Sequence, residues 1–167
     1  MPTAPATISF AHVNPARAAT ILAALRIHGF RLEHTDPVTS PLRRFTEYGV
    51  RDATTMICTQ LGALIRRLDH SAVFTIGQEP TGEFAGQQLI SDPDLGEHLC
   101  ALDEEGTELI TVPALRHGID TARHVLAAGG APADALTDLD RLTGGPWHRQ
   151  LALLRALAGT HLDALTT

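Results

Sequence analysis

His98 and Cys100 stand two residues apart, and His117, Asp120 and His124 follow at i, i+3 and i+7. A spacing of two puts side chains on one face of a strand, and spacings of three and seven put them on one face of a helix. Imidazole, thiolate and carboxylate are the donors that zinc takes. The spacing matches no short metal motif, and a cysteine in an apolar strand ordinarily packs as a small hydrophobe. No metal and no cofactor are therefore expected. A cysteine nucleophile needs an adjacent base or a helix N-terminus to favour its thiolate. Cys58 lies beside the apolar stripe of a helix, far from that helix's start, and reads as core. Gly-x-Ser-x-Gly, Gly-x-Gly-x-x-Gly and His-Glu-x-x-His are all absent, which removes the common serine-hydrolase, dinucleotide and zincin readings. Asp92-Pro-Asp94-Leu-Gly96-Glu97 has the look of a calcium loop but lacks the third ligand before the glycine and the terminal glutamate, so it reads as a solvated turn. No residue is assigned a catalytic role, and the chain reads as a binding protein rather than an enzyme.

Charge gives the stronger signal. Glu79 to Val112 carries nine carboxylates and no arginine or lysine, a local net charge of −9 with histidine neutral. The segment before it sums to +3 and the segment after it to 0, so the −6 of the whole chain originates here. Such asymmetry speaks of partners and solubility rather than of fold. Within it, His98 to Asp103 and Thr107 to Val112 are apolar runs separated by Glu104-Glu105-Gly106. Asp103-Glu104-Glu105-Gly106 suits a type I turn closed by a glycine, with Asp103 facing Thr107. Asp103, Glu104, Glu105 and Glu108 are thus expected to form an electronegative tip that meets a basic protein surface. The alternative is an enzyme or ligand-binding protein that takes an anion through Arg43, Arg44, Tyr48 and Arg51, where cations and aromatics mix. His98, Cys100, His117 or His124 would then supply its reactive groups.

All 13 basic residues are arginine, which excludes Schiff-base chemistry and a P-loop lysine. Nucleic acid is not an expected partner: Ala133 to Leu142, the helix that would enter a groove, carries Asp134, Asp138 and Asp140 against Arg141 alone.

The elements that position these residues follow from periodicity. Ala6 to Val13 alternates as a strand, Asn14-Pro15 opens a helix that Gly29 stops, and Phe30 to Thr35 alternates again, a βαβ unit. Asp36 to Val50 reads as a loop and Arg51 to Asp69 as an amphipathic helix. Ser71 to Ile76 and Phe84 to Ile90 read as strands ahead of the acidic hairpin. From Pro113 the period becomes helical, with stops at Gly129-Gly130 and Gly144-Gly145 and with Pro132 and Pro146 opening the next helices.

The fold class expected is α+β: a mixed sheet covered by helices, residues 1–112 forming the sheet part and 113–167 three C-terminal helices packed on it, all in one domain. The 167 residues suffice for a core without staples, and with 4% aromatics that core must be built from Leu, Ile, Val and Ala. Two cysteines make no disulfide framework, and no leader or membrane-spanning run stands out, so a cytoplasmic location is expected. A homodimer burying Leu151, Leu154 and Leu157 is the expected assembly.

Overall fold

A computed structural model describes residues 3–32, 42–82 and 84–161. The elements in chain order are β1 (Thr3–His12), α1 (Pro15–Ile27), β2 (Arg31–Leu32), β3 (Tyr48–Thr54), α2 (Ile57–Leu68), β4 (Val73–Gln78), β5 (Gly86–Asp92), β6 (Gly96–Leu102), β7 (Glu108–Leu109), α3 (Val112–Ala127), α4 (Pro132–Leu142) and α5 (Gly145–His161). The strands form one sheet in the order β2-β3-β1-β4-β5-β6-β7. The chain is α+β, as its periodicity predicts.

β1 is an interior strand: its alternate residues Ala4, Ala6, Ile8 and Phe10 are all buried, and both of its edges are taken, by β3 and β4. α1 begins where Asn14 Oδ1 accepts from the Ala16 amide at 3.0 Å, and it ends at Gly29, whose φ of +82° a residue with a Cβ adopts at a cost. α1 buries Ile21 and Leu25, and α2 buries Ile57, Cys58, Leu61 and Ile65. Asp69 ties the start of one helix to the end of the other: Oδ2 accepts from the Asn14 amide at 2.7 Å, and Oδ1 accepts from the Ser71 hydroxyl at 2.6 Å.

The strand–helix–strand unit at the N-terminus differs from an adjacent parallel pair. β3 lies between β1 and β2, so β1 and β2 run in the same direction without touching, and every hydrogen-bonded pair of strands is antiparallel. The difference traces to 48–54, where the sequence reading placed the end of a loop and the start of a helix. Arg51 and Asp52 are exposed there and carry no apolar stripe; their neighbours Tyr48 to Val50 and Ala53 to Thr54 pair with β1, and the register shifts between the two sets, at Arg51 and Asp52. The amphipathic helix accordingly starts at Ile57 rather than at Arg51. The expected strand end at 33–35 and the loop start at 36–41 lie outside the described residues.

The two faces of the sheet are covered differently. Gly62 lets α2 approach the sheet: a Cβ there would come within 2.5 Å of Leu89 Cδ2, so α2 lies on the Leu89 face. Ile90 and its partner His98 point the other way, toward α5. α5 packs across β1 and β5, whereas α3 and α4 pack chiefly on each other, with Leu139 against Gly118.

Candidate functional site

The β5–β6 hairpin, the β6–β7 hairpin and the α4–α5 junction together assemble a polar cluster on the α5 face. β6 pairs with β5 so that His98 lies opposite Ile90 and Cys100 opposite Gln88, and with β7 so that Leu102 lies opposite Glu108. His98, Cys100 and Glu108 therefore project to one side. Ligand-type atoms of these three side chains all lie within 4.8 Å of one another. α5 supplies the cover: Trp147 stacks on the His98 ring with centroids 5.2 Å apart and donates Nε1–H to the Gly96 carbonyl at 3.1 Å. Next to it, His148 Nε2 lies 2.9 Å from Glu108 Oε1.

The junction that places these two rings is held locally. Arg149 makes a bidentate pair with Asp140 at 2.9 and 2.6 Å, bridging α4 and α5, and the guanidinium holds the Asp140 carboxyl below the usual carboxylate range. Gly144 takes φ +67° directly above the imidazoles, and a Cβ there would stand 2.6 Å from His98 Nε2 and 3.2 Å from His148 Nε2. His98 is only 9% exposed, and its Nε2 makes no hydrogen bond; the closest carboxylate oxygen, Glu108 Oε2, is 3.5 Å away. Burial, then the Glu108 carboxylate, pushes the Cys100 thiol up to about 12. Cys58 lies in the first turn of α2 rather than far from the helix start, because the helix begins at Ile57; burial is nevertheless the main cause acting on its thiol and pushes it, too, up to about 12.

His98 and Cys100 thus come together, but not with the helical histidines grouped with them by residue type. His117, Asp120 and His124 are exposed on α3, where His124 Nδ1 is 2.7 Å from the Asp120 carbonyl and Arg123 pairs with the Asp120 side chain at 3.6 Å. The residues that sequence reasoning did not place with them are Glu108, His148, Trp147 and Gly144. A signal for Glu108 was present: once Asp103 faces Thr107, Glu108 must fall opposite Leu102, on the same face as Cys100 and His98.

The acidic turn forms as its residues dictate. The Asp103 amide donates to the Thr107 carbonyl at 3.0 Å, Asp103 Oδ1 accepts from the amides of Glu105 and Thr107 at 3.0 and 2.7 Å, and Gly106 has φ +77°. Asp103 is thereby engaged in the turn and Glu108 with the histidines. Glu104 and Glu105 are exposed and make no ion pair among the described residues. Glu104 lines two open clefts, one of about 370 Å³ with Phe84, Leu102 and Leu109, the other of about 390 Å³ with Glu79, Leu102 and Glu105.

The turn at Asp92 spends its groups internally: Asp92 Oδ1 accepts from the Asp94 and Leu95 amides at 2.9 and 3.1 Å, and Glu97 lies 3.7 Å from Arg66. In the arginine segment, Arg43, Arg44 and Arg51 are exposed, but Tyr48 is 3% exposed and its hydroxyl accepts from the Arg43 amide at 2.9 Å. Phe45, at φ +53°, lies under the Arg155 guanidinium, 5.5 Å from the ring centroid. Among the described residues no helix is long and apolar enough to cross a membrane. No protein-family profile, curated protein or solved structure matches this chain.

Proposed function

We propose that the chain is a non-enzymatic interaction protein that offers the Asp103–Glu108 turn to a basic protein surface. The observation that carries this reading is the position of Glu104 on the wall of two clefts, with no ion pair to it or to Glu105 among the described residues. Each cleft pairs an apolar wall with carboxylates. An arginine or lysine side chain lays its stem on apolar surface and keeps its charged head at a polar rim, which fits Leu102, Phe84 and Leu109 below Asp103 and Glu104. In this reading Glu104 and Glu105 touch the partner, Asp103 shapes the turn, and Glu108 is shared with His148.

Two further expectations stand beside it with less support. A homodimer through Leu151, Leu154 and Leu157 would have to use a stripe of which Leu151 and Leu154 are already half-buried in the chain itself. An anion site at Arg43, Arg44 and Arg51 would have to work without the Tyr48 hydroxyl.

The test is affinity capture with the full chain as bait, beside a Glu104→Gln/Glu105→Gln bait. A basic protein retained by the first and lost from the second, with retention weakening above about 0.15 M salt, is the expected result. Equal capture by both baits would sink the proposal.

A further inference from the structure

We propose that His98, Cys100, Glu108 and His148 form a site for a transition-metal dication of the zinc type. The four side chains offer two imidazoles, one thiol and one carboxylate, and these approach one another from β6, β7 and α5. Tetrahedral zinc holds nitrogen and sulfur ligands at roughly 2.0–2.3 Å, so its ligand atoms stand about 3.3–3.6 Å apart. Here the Cys100, His98 and Glu108 atoms lie within 4.8 Å of one another and His148 Nε2 is 2.9 Å from a Glu108 oxygen, so metal uptake requires side-chain rotation that draws the four together, His148 included. The two Nε2 atoms converge under Gly144, the position at which any Cβ would collide with His98.

The second observation is independent of the cluster's composition. His98 Nε2 is buried and makes no hydrogen bond, although a carboxylate oxygen lies 3.5 Å away. Buried polar atoms in folded proteins are almost always paired, and a lone pair directed at a metal answers the requirement that the hydrogen bonds leave unmet. Trp147 fixes the ring's orientation from one side.

The chemistry of the set selects the ion. A thiolate and a carboxylate together neutralise a dication, which removes the cost of placing an uncompensated charge in a half-buried site. Sulfur and imidazole donors favour zinc, and cobalt in its place, over magnesium or calcium, which take oxygen ligands. Binding forms the metal–sulfur bond as the Cys100 thiol proton leaves to solvent; nothing is oxidised or reduced. Since the ligands come from the edge strand β7, its neighbour β6 and α5, the ion staples that helix to this side of the sheet.

The experiment uses the full untagged chain, stripped with chelator and titrated with Co²⁺ and then Zn²⁺. We expect one equivalent of Co²⁺ to bind with tetrahedral visible bands and a near-ultraviolet sulfur-to-cobalt charge-transfer band, displaced by Zn²⁺. Cys100→Ser should abolish the charge-transfer band. His148→Ala, an exposed change that circular dichroism should show folded, should weaken binding about 10- to 100-fold. A folded wild-type chain that takes up no stoichiometric Co²⁺ at tens of micromolar overturns the proposal. So does a band that persists in Cys100→Ser, or affinity unchanged in His148→Ala.

Discussion

The two faces of the sheet are built from different chemistry. Under α1 and α2 the floor is Ala6, Ile8, Phe10, Phe74, Ile76 and Leu89, and the helices answer with Ile21, Leu25, Leu61 and Ile65, all buried. Under α5 the register sets Thr7, Ser9, Thr75, Gln88, His98 and Cys100 in the same layer as Ile90, and Trp147 is the large side chain that covers part of it. The apolar, close-packed face contributes stability through burial. Among the described residues, buried polar atoms without a hydrogen bond occur on both faces, Gln78 Oε1 and Ser91 Oγ on the first and His98 Nε2 on the second, where His98 stands beside a thiol and a carboxylate. The difference teaches where to look: the first face holds the apolar core, and the second, with the acidic turn at its rim, holds the polar cluster of His98, Cys100 and Glu108.

The comparison breaks if variants on the two faces cost the same. The largest effect is expected from Phe74→Ala, in the middle of the apolar face, at about 3–5 kcal/mol in denaturant unfolding. Asp69→Ala comes next, at about 2–3 kcal/mol, because it leaves the Asn14 amide and the Ser71 groups without their acceptor. Burial on its own would raise this carboxyl, but hydrogen bonds from the Ser71 hydroxyl and from the Asn14 and Ser71 amides, with His12 nearby, outweigh it and hold Asp69 below the ordinary value. Its folded value is thus the depressed one. Its contribution is present above an unfolded value of about 3.9 and is lost as pH falls through the lower folded value. Asp69→Asn should flatten that acid limb in unfolding curves measured from neutral pH downward.

Smaller effects belong to the α5 face. Trp147→Phe removes the hydrogen bond to the Gly96 carbonyl while keeping an aromatic on His98, and about 1 kcal/mol is expected in the same assay. Smallest is Glu104→Gln/Glu105→Gln, within about 0.5 kcal/mol, because both side chains are exposed and make no ion pair among the described residues. A cost above that would mean that the turn serves the fold rather than a partner.

The α+β class and most helices were legible in the sequence because their signals are local: Asn14-Pro15 opens α1, Pro132 opens α4, and Asp103 with Gly106 makes the turn. β3 was not legible, since Tyr48-Gly-Val-Arg-Asp-Ala-Thr has no clean alternation and becomes a strand only because β1 has an edge to fill. The cluster was half legible. The strand parity of His98 and Cys100 is sequence-local, and Glu108 follows from the hairpin register. His148, 50 residues beyond His98, arrives only through the packing of α5, which the 3.6 period describes as a stripe without saying what it covers.

The central claim, that the acidic turn is a docking point for cationic side chains, is tested most directly by nitrogen-15 NMR of the full chain titrated with an arginine-rich peptide at about 0.15 M salt, where surface fields reach only about 8 Å. The account expects saturable shifts at the amides of Leu102 to Thr107 and at Thr81 and Gly82 across the cleft, while exposed Asp134 and Asp138 on α4 stay still. Shifts of equal size at Asp134 and Asp138, or none at the turn, would contradict it.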